Sequence, residues 1–250
     1  MDFFDMNRSK VSNSEGRIST VRTEKGASLT AKDEESFRDV HRAEVTLIRG
    51  GHERPLPQPM VTKKLMSVGE AQKVRDIYKV CKDAGLKVIP TYRVDVDKRI
   101  ALMTDLNTNG RLALSANNVS AEGPNPCEFI SSINNVESFL DKMFDHSSNA
   151  GRSHIALPRD AYFFLVDKDN PRQENLDFLI GDFDDVTERQ PIDRGCEDVI
   201  RENIVSANSA LDGFLQRYVI AGPTRYSYID LLGRKYNKLI GRNKTQVESK

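Results

Sequence analysis

The feature that most constrains this chain is an apolar strand pattern that runs directly into an acidic turn. Residues 178–186 read Phe-Leu-Ile-Gly-Asp-Phe-Asp-Asp-Val, which places Asp182, Asp184 and Asp185 at the end of the strand. A buried strand rarely ends in so much negative charge unless that charge is hydrated, paired or bound to a metal ion. The alternative is a polar β-turn whose aspartates cap the segment that follows.

Composition excludes several classes of protein. The 250 residues allow one large domain or a pair of lobes, and 38% hydrophobic with 30% charged residues is typical of a soluble globular chain. Because 37 basic residues balance 37 acidic ones, we expect no nucleic-acid partner. No apolar run is long enough to predict a membrane span, and the N-terminus lacks the apolar region of a signal peptide. Three widely spaced cysteines favour a reducing compartment over a disulfide framework.

The N-terminal part of the chain predicts a small β-rich domain with one main helix. Ser67-Val-Gly-Glu70 matches a helix capping box, and Gly85 is placed to end that helix at about residue 83. Alternating or β-branched patterns predict the strands. The order is strand, strand, strand, helix, strand, strand, with strands at 17–22, 43–48, 60–65, 86–95 and 99–106.

The remainder of the chain predicts a mainly helical domain that contains one pair of strands. Apolar residues at helical spacing predict helices at 136–144, 197–219 and 226–240. The strand pair is expected at 162–166 and 176–180. The second of these strands leads into the acidic turn.

Three short motifs, taken in order, resemble those of the protein kinase superfamily. They are Met60-Val-Thr-Lys-Lys-Leu65, Leu157-Pro-Arg-Asp160 and Leu179-Ile-Gly-Asp-Phe-Asp184. In kinases the corresponding segments carry the third-strand lysine, the catalytic-loop aspartate and the metal-binding Asp-Phe-Gly. The resemblance implies a two-lobed α+β fold, with a small antiparallel β lobe and a truncated, mainly helical C-lobe. Its expected divisions are a flexible leader (1–16), an N-lobe (17–105), a C-lobe (106–240) and a polar tail (241–250).

The resemblance assigns the chemistry of the C-lobe to aspartates. Asp160 would orient the substrate hydroxyl and accept its proton, although it could equally be a loop aspartate that caps its own turn. Asp182 would bind Mg²⁺ with Asp184, which replaces the family's glycine, as the second ligand. Two departures weaken the match. Pro158 replaces a histidine, and Leu165 stands where kinases place a metal-binding asparagine.

The resemblance assigns the binding of the ATP phosphates to the N-lobe. Lys63 would be the cation on the phosphates, with Lys64 on the opposite face of the strand, and a one-residue shift would exchange the two. The alternative is a pair of solvated lysines on an edge strand. Glu70 is the candidate partner of Lys63, but the capping box is an equally good role for its carboxylate. Asp76 is a weaker candidate because it falls on the opposite helix face.

The adenine is expected to meet backbone groups near Asp105 and Leu106, with Met103 at the back of the pocket and the nucleotide bound between the lobes. A loop that covers the phosphates has only a weak candidate at 26–28, since the glycine-rich motif of kinases is absent.

We therefore expect ATP- and Mg²⁺-dependent phosphoryl transfer to a protein hydroxyl. The short segment after Asp185 is similar to that of minimal kinases among bacterial effector proteins, and also to the aminoglycoside phosphotransferase and atypical kinase branches. An effector would be secreted into a host cell and could use a host protein activator; otherwise the location would be the cytoplasm. The alternatives are a pseudokinase that acts as a binding or scaffolding module, a small-molecule phosphotransferase, and an unrelated α+β domain.

Overall fold

The structure, a computed structural model, describes residues 17–23, 40–49, 52–55, 59–107, 110–115, 128–189 and 195–247. The chain forms two compact units. The first consists of residues 1–78 and 89–108, and the second of residues 79–88 and 109–250. The fold is α+β, built from helices and small, mainly antiparallel sheets. None of the helices in the described ranges is long and apolar enough to cross a membrane. The expected leader at 1–16 lies outside the described residues.

The first unit contains one antiparallel sheet. Its strands are β1 (Arg17–Thr23), β2 (Val40–Arg49), β3 (His52–Pro55), β4 (Met60–Lys64), β5 (Thr91–Asp95) and β6 (Ile100–Thr104). They lie in the order β1-β2-β4-β6-β5, and β3 pairs with β2. The strands predicted at 17–22, 43–48, 60–65 and 99–106 are confirmed. The strand predicted at 86–95 begins only at Thr91, and β3 was not predicted.

The helix predicted after Ser67 is confirmed as α1 (Val68–Asp83). The capping box forms on the Ser67 side, while the Glu70 carboxylate bonds one residue before the cap. The Glu70 N–H donates to Ser67 Oγ at 3.0 Å, and Glu70 Oε2 accepts the Met66 N–H at 2.6 Å. Gly85 has a φ of +74°, which a glycine adopts without strain, so the helix ends where the sequence indicated.

The second unit contains more strand than the sequence predicted. A three-stranded antiparallel sheet, in the order β12-β10-β7, joins β7 (Arg111–Ser115), β10 (Tyr162–Asp167) and β12 (Asp177–Ile180). Two-residue strands form two further pairs. They are β8 (Ser132–Ile133) with β11 (Arg172–Gln173), and β9 (Ile155–Ala156) with β13 (Thr187–Glu188). Such short strands carry no readable periodicity, because two residues cannot show an alternation.

Three helices complete the second unit: α2 (Val136–Arg152), α3 (Cys196–Tyr218) and α4 (Pro223–Val247). The helix α2 continues well past residue 144, where the apolar pattern stops. Small and polar residues extend its buried face there, and Ser147, Ala150 and Gly151 are all buried. Aromatic rings fill the core between the sheet and the helices, and the rings of Phe164 and Phe214 lie 4.4 Å apart.

Candidate metal centre

Asp160 lies in a single 3₁₀ turn (Arg159–Ala161) that connects β9 to β10. Its side chain is half-buried, whereas that of Arg159 is exposed. The turn begins at Pro158, which has an extended backbone, and it is closed by the Ala161 N–H, which donates to the Pro158 carbonyl at 3.1 Å. Asp160 is therefore held on a short, tight segment between two strands.

Asp182 lies just beyond the end of β12. Because Tyr162 pairs with Ile180 in the antiparallel ladder, the start of β10 and the end of β12 are at the same edge of the sheet. The Gly181 N–H extends this pairing by donating to the Ala161 carbonyl at 2.8 Å. Asp182 has a φ of +52°, a left-handed conformation that aspartate adopts more readily than most residues.

Three carboxylates converge at this edge of the sheet. One ligand oxygen from each of Asp160, Asp182 and Asp185 lies within 4.8 Å of the others. Asp182 and Asp185 belong to one turn, in which the Asp185 N–H donates to the Asp182 carbonyl at 3.1 Å. Asp184, which was expected to be the second ligand, is buried and is not a member of this group.

This donor set fits a hard divalent cation. Mg²⁺ and Ca²⁺ take oxygen ligands, and Mg²⁺ is commonly held by one or two carboxylates together with water and phosphate oxygens. Three charged carboxylates this close repel one another, and a divalent cation removes that repulsion. Asp160, Asp182 and Asp185 are therefore the residues that would hold a metal ion.

Sequence reasoning missed Asp185, although two signals were present. The predicted strands at 162–166 and 176–180 imply a hairpin-like pair, which places Asp160 and Asp182 at one end. A β-turn that starts at Asp182 brings its fourth residue, Asp185, close to its first. The resemblance to Asp-Phe-Gly directed attention to Asp184 instead.

Leu165, which stands where kinases place a metal-binding asparagine, lies in β10. The strand begins at Tyr162, whose side chain is fully buried. Leu165 pairs with Asp177 on one side and with Ala113 on the other. The residue at the position of the family's metal-binding asparagine is therefore part of the sheet. The connection that carries Asp160 is shorter than the kinase resemblance implied.

The candidate lysine lies in the first unit. Lys63 pairs with Ala101 in β6 and with Val40 in β2, so β4 is a central strand and the expected alternative of an edge strand is wrong. Lys63 is half-buried and Lys64 is exposed. Of the two acidic candidates, Glu70 is half-buried and caps α1, whereas Asp76 is exposed and bonds to its neighbour Arg75 at 3.0 Å.

The residues expected near the adenine also lie in the first unit. Asp105 is buried, its Oδ1 accepts the Asn107 N–H at 2.9 Å, and its own N–H donates to the Pro59 carbonyl at 2.9 Å. The Thr104 N–H donates to the Pro90 carbonyl at 2.9 Å. Leu106 is half-buried. The candidate phosphate loop at 26–28 lies outside the described residues.

The chain matches no family model and no curated protein.

Proposed function

We propose that this chain is a kinase-like phosphotransferase that moves the γ-phosphate of ATP to a protein hydroxyl with Mg²⁺. The observation that carries the proposal is the convergence of Asp160 and Asp182 at one edge of the β10–β12 pair, with Asp185 beside them. The kinase resemblance assigns the first two of these residues to the catalytic and metal-binding roles. Their proximity is what those roles require.

The proposed division of labour follows from the positions of the carboxylates. Asp182 and Asp185 lie on one turn and would hold the metal ion, which neutralises charge on the phosphate oxygens when bound. Asp160 enters from the neighbouring segment. It would orient the acceptor hydroxyl and take up its proton. Because the Asp160 carboxylate lies in the same group as those of Asp182 and Asp185, the acceptor hydroxyl would meet it beside the bound metal ion.

The kinase resemblance assigns the phosphate cation and the adenine contacts to residues that lie in the first unit. Lys63 is the better candidate of the two lysines, since it lies half-buried on a central strand that leads directly into α1. The backbone N–H groups of Thr104 and Asp105 already donate within the unit. A backbone donor to adenine would therefore come from Leu106 rather than from Asp105.

A pseudokinase is the second candidate function. The observation that favours it is the place of Leu165 in β10, since an apolar strand residue supplies no metal ligand where kinases have an asparagine. In this alternative the same fold binds a partner, and nucleotide binding is weak or independent of metal. A small-molecule phosphotransferase would instead consume ATP with a metabolite and label no protein.

The test is transfer of labelled γ-phosphate, with Mg²⁺, into the chain itself and into proteins of a cell lysate. Asp182→Asn is the informative variant because asparagine also tolerates a left-handed backbone while removing the charge. Loss of a residue that supports a metal ligand from outside typically lowers metal affinity or activity by roughly 10–100-fold. We expect Asp182→Asn, which removes a direct ligand, to reduce labelling by more than this. Asp145→Asn, which removes an exposed carboxylate from α2, is the matched control.

Each result has a distinct meaning. Labelling by the wild type and by Asp145→Asn, but not by Asp182→Asn, supports the kinase. Absence of labelling together with ATP binding supports the pseudokinase. ATP turnover that is stimulated by a small hydroxylated or amino compound, without labelled protein, supports the small-molecule enzyme.

A further inference from the structure

Asn203 is a polar residue on the buried face of α3, where the other inward-facing positions are mainly apolar. Its side chain is completely buried. Its Oδ1 accepts the Leu157 N–H at 2.7 Å, and its Nδ2 donates to the carbonyls of Ile155 at 2.7 Å and Ser147 at 3.1 Å. A buried amide is costly to desolvate, and this one recovers the cost through three bonds to backbone groups.

Two of these three bonds hold the segment that leads into Asp160. Ile155 belongs to β9, and Leu157 is three residues before Asp160. Between them and Asp160 lie Pro158, which has no N–H, and Arg159, whose side chain is exposed. Among the described hydrogen bonds, the one from the Leu157 N–H to Asn203 is therefore the last fixed backbone contact before the 3₁₀ turn.

The other side of the 3₁₀ turn is fixed by the same group of residues. Tyr162, the first residue of β10, is completely buried, and its hydroxyl lies 2.8 Å from Ser147 Oγ. The carbonyl of Ser147 accepts from Asn203, and its Oγ donates to the Met143 carbonyl at 2.7 Å. One connected buried network thus holds both ends of the short segment that carries Asp160, and connected networks couple their members.

We propose that Asn203 is a positioning residue for Asp160, an inference that rests on the proposed function. By fixing Leu157 from α3, and Tyr162 through Ser147 of α2, it sets where the Asp160 carboxylate lies relative to Asp182 and Asp185. The 3₁₀ turn that contains Asp160 joins β10 directly at Tyr162, without an intervening loop. A small shift of the Leu157 backbone is therefore transmitted through this short segment to Asp160.

The experiment compares Asn203→Ala with Leu211→Ala. Leu211 is a completely buried apolar residue of the same helix, so its truncation destabilises the second unit without removing a bond to the Asp160 segment. For the wild type and both variants, three quantities are measured: the midpoint of thermal unfolding, hydrogen exchange at the Leu157 amide, and affinity for Mn²⁺ as a probe of the metal group. Asn203→Asp is added as the conservative variant, because it keeps an oxygen acceptor for the Leu157 N–H.

We expect Asn203→Ala to remove exchange protection at Leu157 and to weaken Mn²⁺ binding by roughly 10–100-fold, the range for outer partners of metal sites. Asn203→Asp should recover part of the protection at Leu157. Leu211→Ala, with an equal or larger fall in the unfolding midpoint, should keep Mn²⁺ affinity within about twofold of the wild type, since it leaves the carboxylates in place.

Two results would overturn the inference: equal losses of Mn²⁺ affinity in Asn203→Ala and Leu211→Ala, or unchanged Leu157 exchange in Asn203→Ala. Failure of the proposed function is distinguishable from both. If the wild type binds no Mn²⁺ and labels no protein, the proposed function fails. Loss of Leu157 protection in Asn203→Ala alone would then still support the anchoring of the Asp160 segment.

Discussion

His146 Nε2 accepts a hydrogen bond from the backbone N–H of Lys87 at 2.7 Å, which ties α2 to the segment that follows α1. Lys87 also bonds to both carboxylate oxygens of Asp177 at 2.8 Å, and its carbonyl accepts the Ile180 N–H at 2.7 Å. A protonated imidazole cannot accept at Nε2. Burial, together with the nearby Lys87 charge, lowers the pKa of His146 to about 4, and Asp177 opposes that shift only in part.

This geometry predicts that the second unit loses stability at mildly acidic pH. The folded pKa of His146 is about 4 and the ordinary value is 6.5. The unfolded chain therefore binds the proton more tightly, so the His146 contribution is complete above pH 6.5 and is lost progressively as the pH falls toward 4. The linkage is worth up to about 3 kcal/mol, and less where solvent reaches the ring.

The measurement is the free energy of unfolding between pH 7 and pH 4 for the wild type and for His146→Gln. The glutamine carbonyl can accept the Lys87 N–H but does not titrate in this range. We expect a shallower pH dependence in the variant. The same slope in both proteins would show that His146 is not the titrating group.

Gly151 of α2 packs directly against the backbone of α3, and this contact predicts a large cost for a single methyl group. A Cβ at Gly151 would lie 2.6 Å from the Cα and N atoms of Ile200. Backbone atoms cannot rotate away, so the two helices would have to separate. We expect Gly151→Ala to destabilise the protein by about 1–3 kcal/mol or more, even though alanine by itself favours a helix more than glycine does.

Gly233 in α4 supplies the matched control, because a Cβ built there meets nothing within 4 Å. Gly233→Ala should stabilise the protein by up to about 1 kcal/mol, since alanine reduces the entropy lost on forming a helix. Thermal unfolding of both variants gives the comparison. A neutral or stabilising Gly151→Ala would contradict the close approach of α2 and α3.

Arg225 caps the end of α3 from the start of α4. Its Nη1 donates to the carbonyls of Gln216 at 2.6 Å and Val219 at 3.2 Å, and to Glu128 Oε1 at 3.0 Å. Only 15% of its side chain is exposed. We expect Arg225→Ala to cost about 1.5–3 kcal/mol, the range for hydrogen bonds to charged groups, because carbonyls at the helix end lose their donor.

The matched variant is Arg225→Lys. All three bonds come from Nη1, and the shorter lysine side chain does not bring its ammonium to that position, so we expect lysine to recover only part of the lost stability. Unfolding measurements on the two variants decide the point. Full recovery by lysine would indicate that charge near the end of α3, rather than the donated bonds, is the stabilising term.

The sequence predicted best those features that depend on neighbouring residues. The capping box of Ser67 and Glu70 and the left-handed Gly85 are local, so residue type alone specifies them. The true end of α2 was missed for the opposite reason. Ser147 and Gly151 are buried because they contact α3 and Tyr162, and nothing in their own chemistry marks them as core residues.

The sequence predicted two of the three carboxylates of the candidate site but not the third. Asp160 and Asp182 stood out by motif, and the two predicted strands between them form the ladder that brings them together. The Asp-Phe-Gly pattern favoured Asp184 because of its position in the motif. The geometry of the turn instead brings the carboxylate of Asp185 close to those of Asp160 and Asp182. Asn203 could not have been found from the sequence, since it acts on a segment far from it in the chain.

The choice between Asp184 and Asp185 as the second metal ligand gives a direct test of the site. Asp185 is exposed and its carboxylate lies with those of Asp160 and Asp182, whereas Asp184 is buried outside that group. Asp185→Asn should therefore weaken Mn²⁺ binding at least tenfold with little change in the unfolding midpoint, because it removes a charged ligand from the surface. Asp184→Asn should instead act mainly on stability, because it changes a buried polar group. Mn²⁺ titration and thermal unfolding of both variants separate the two effects. A larger loss of affinity in Asp184→Asn would restore the ligand pair that the kinase resemblance implied.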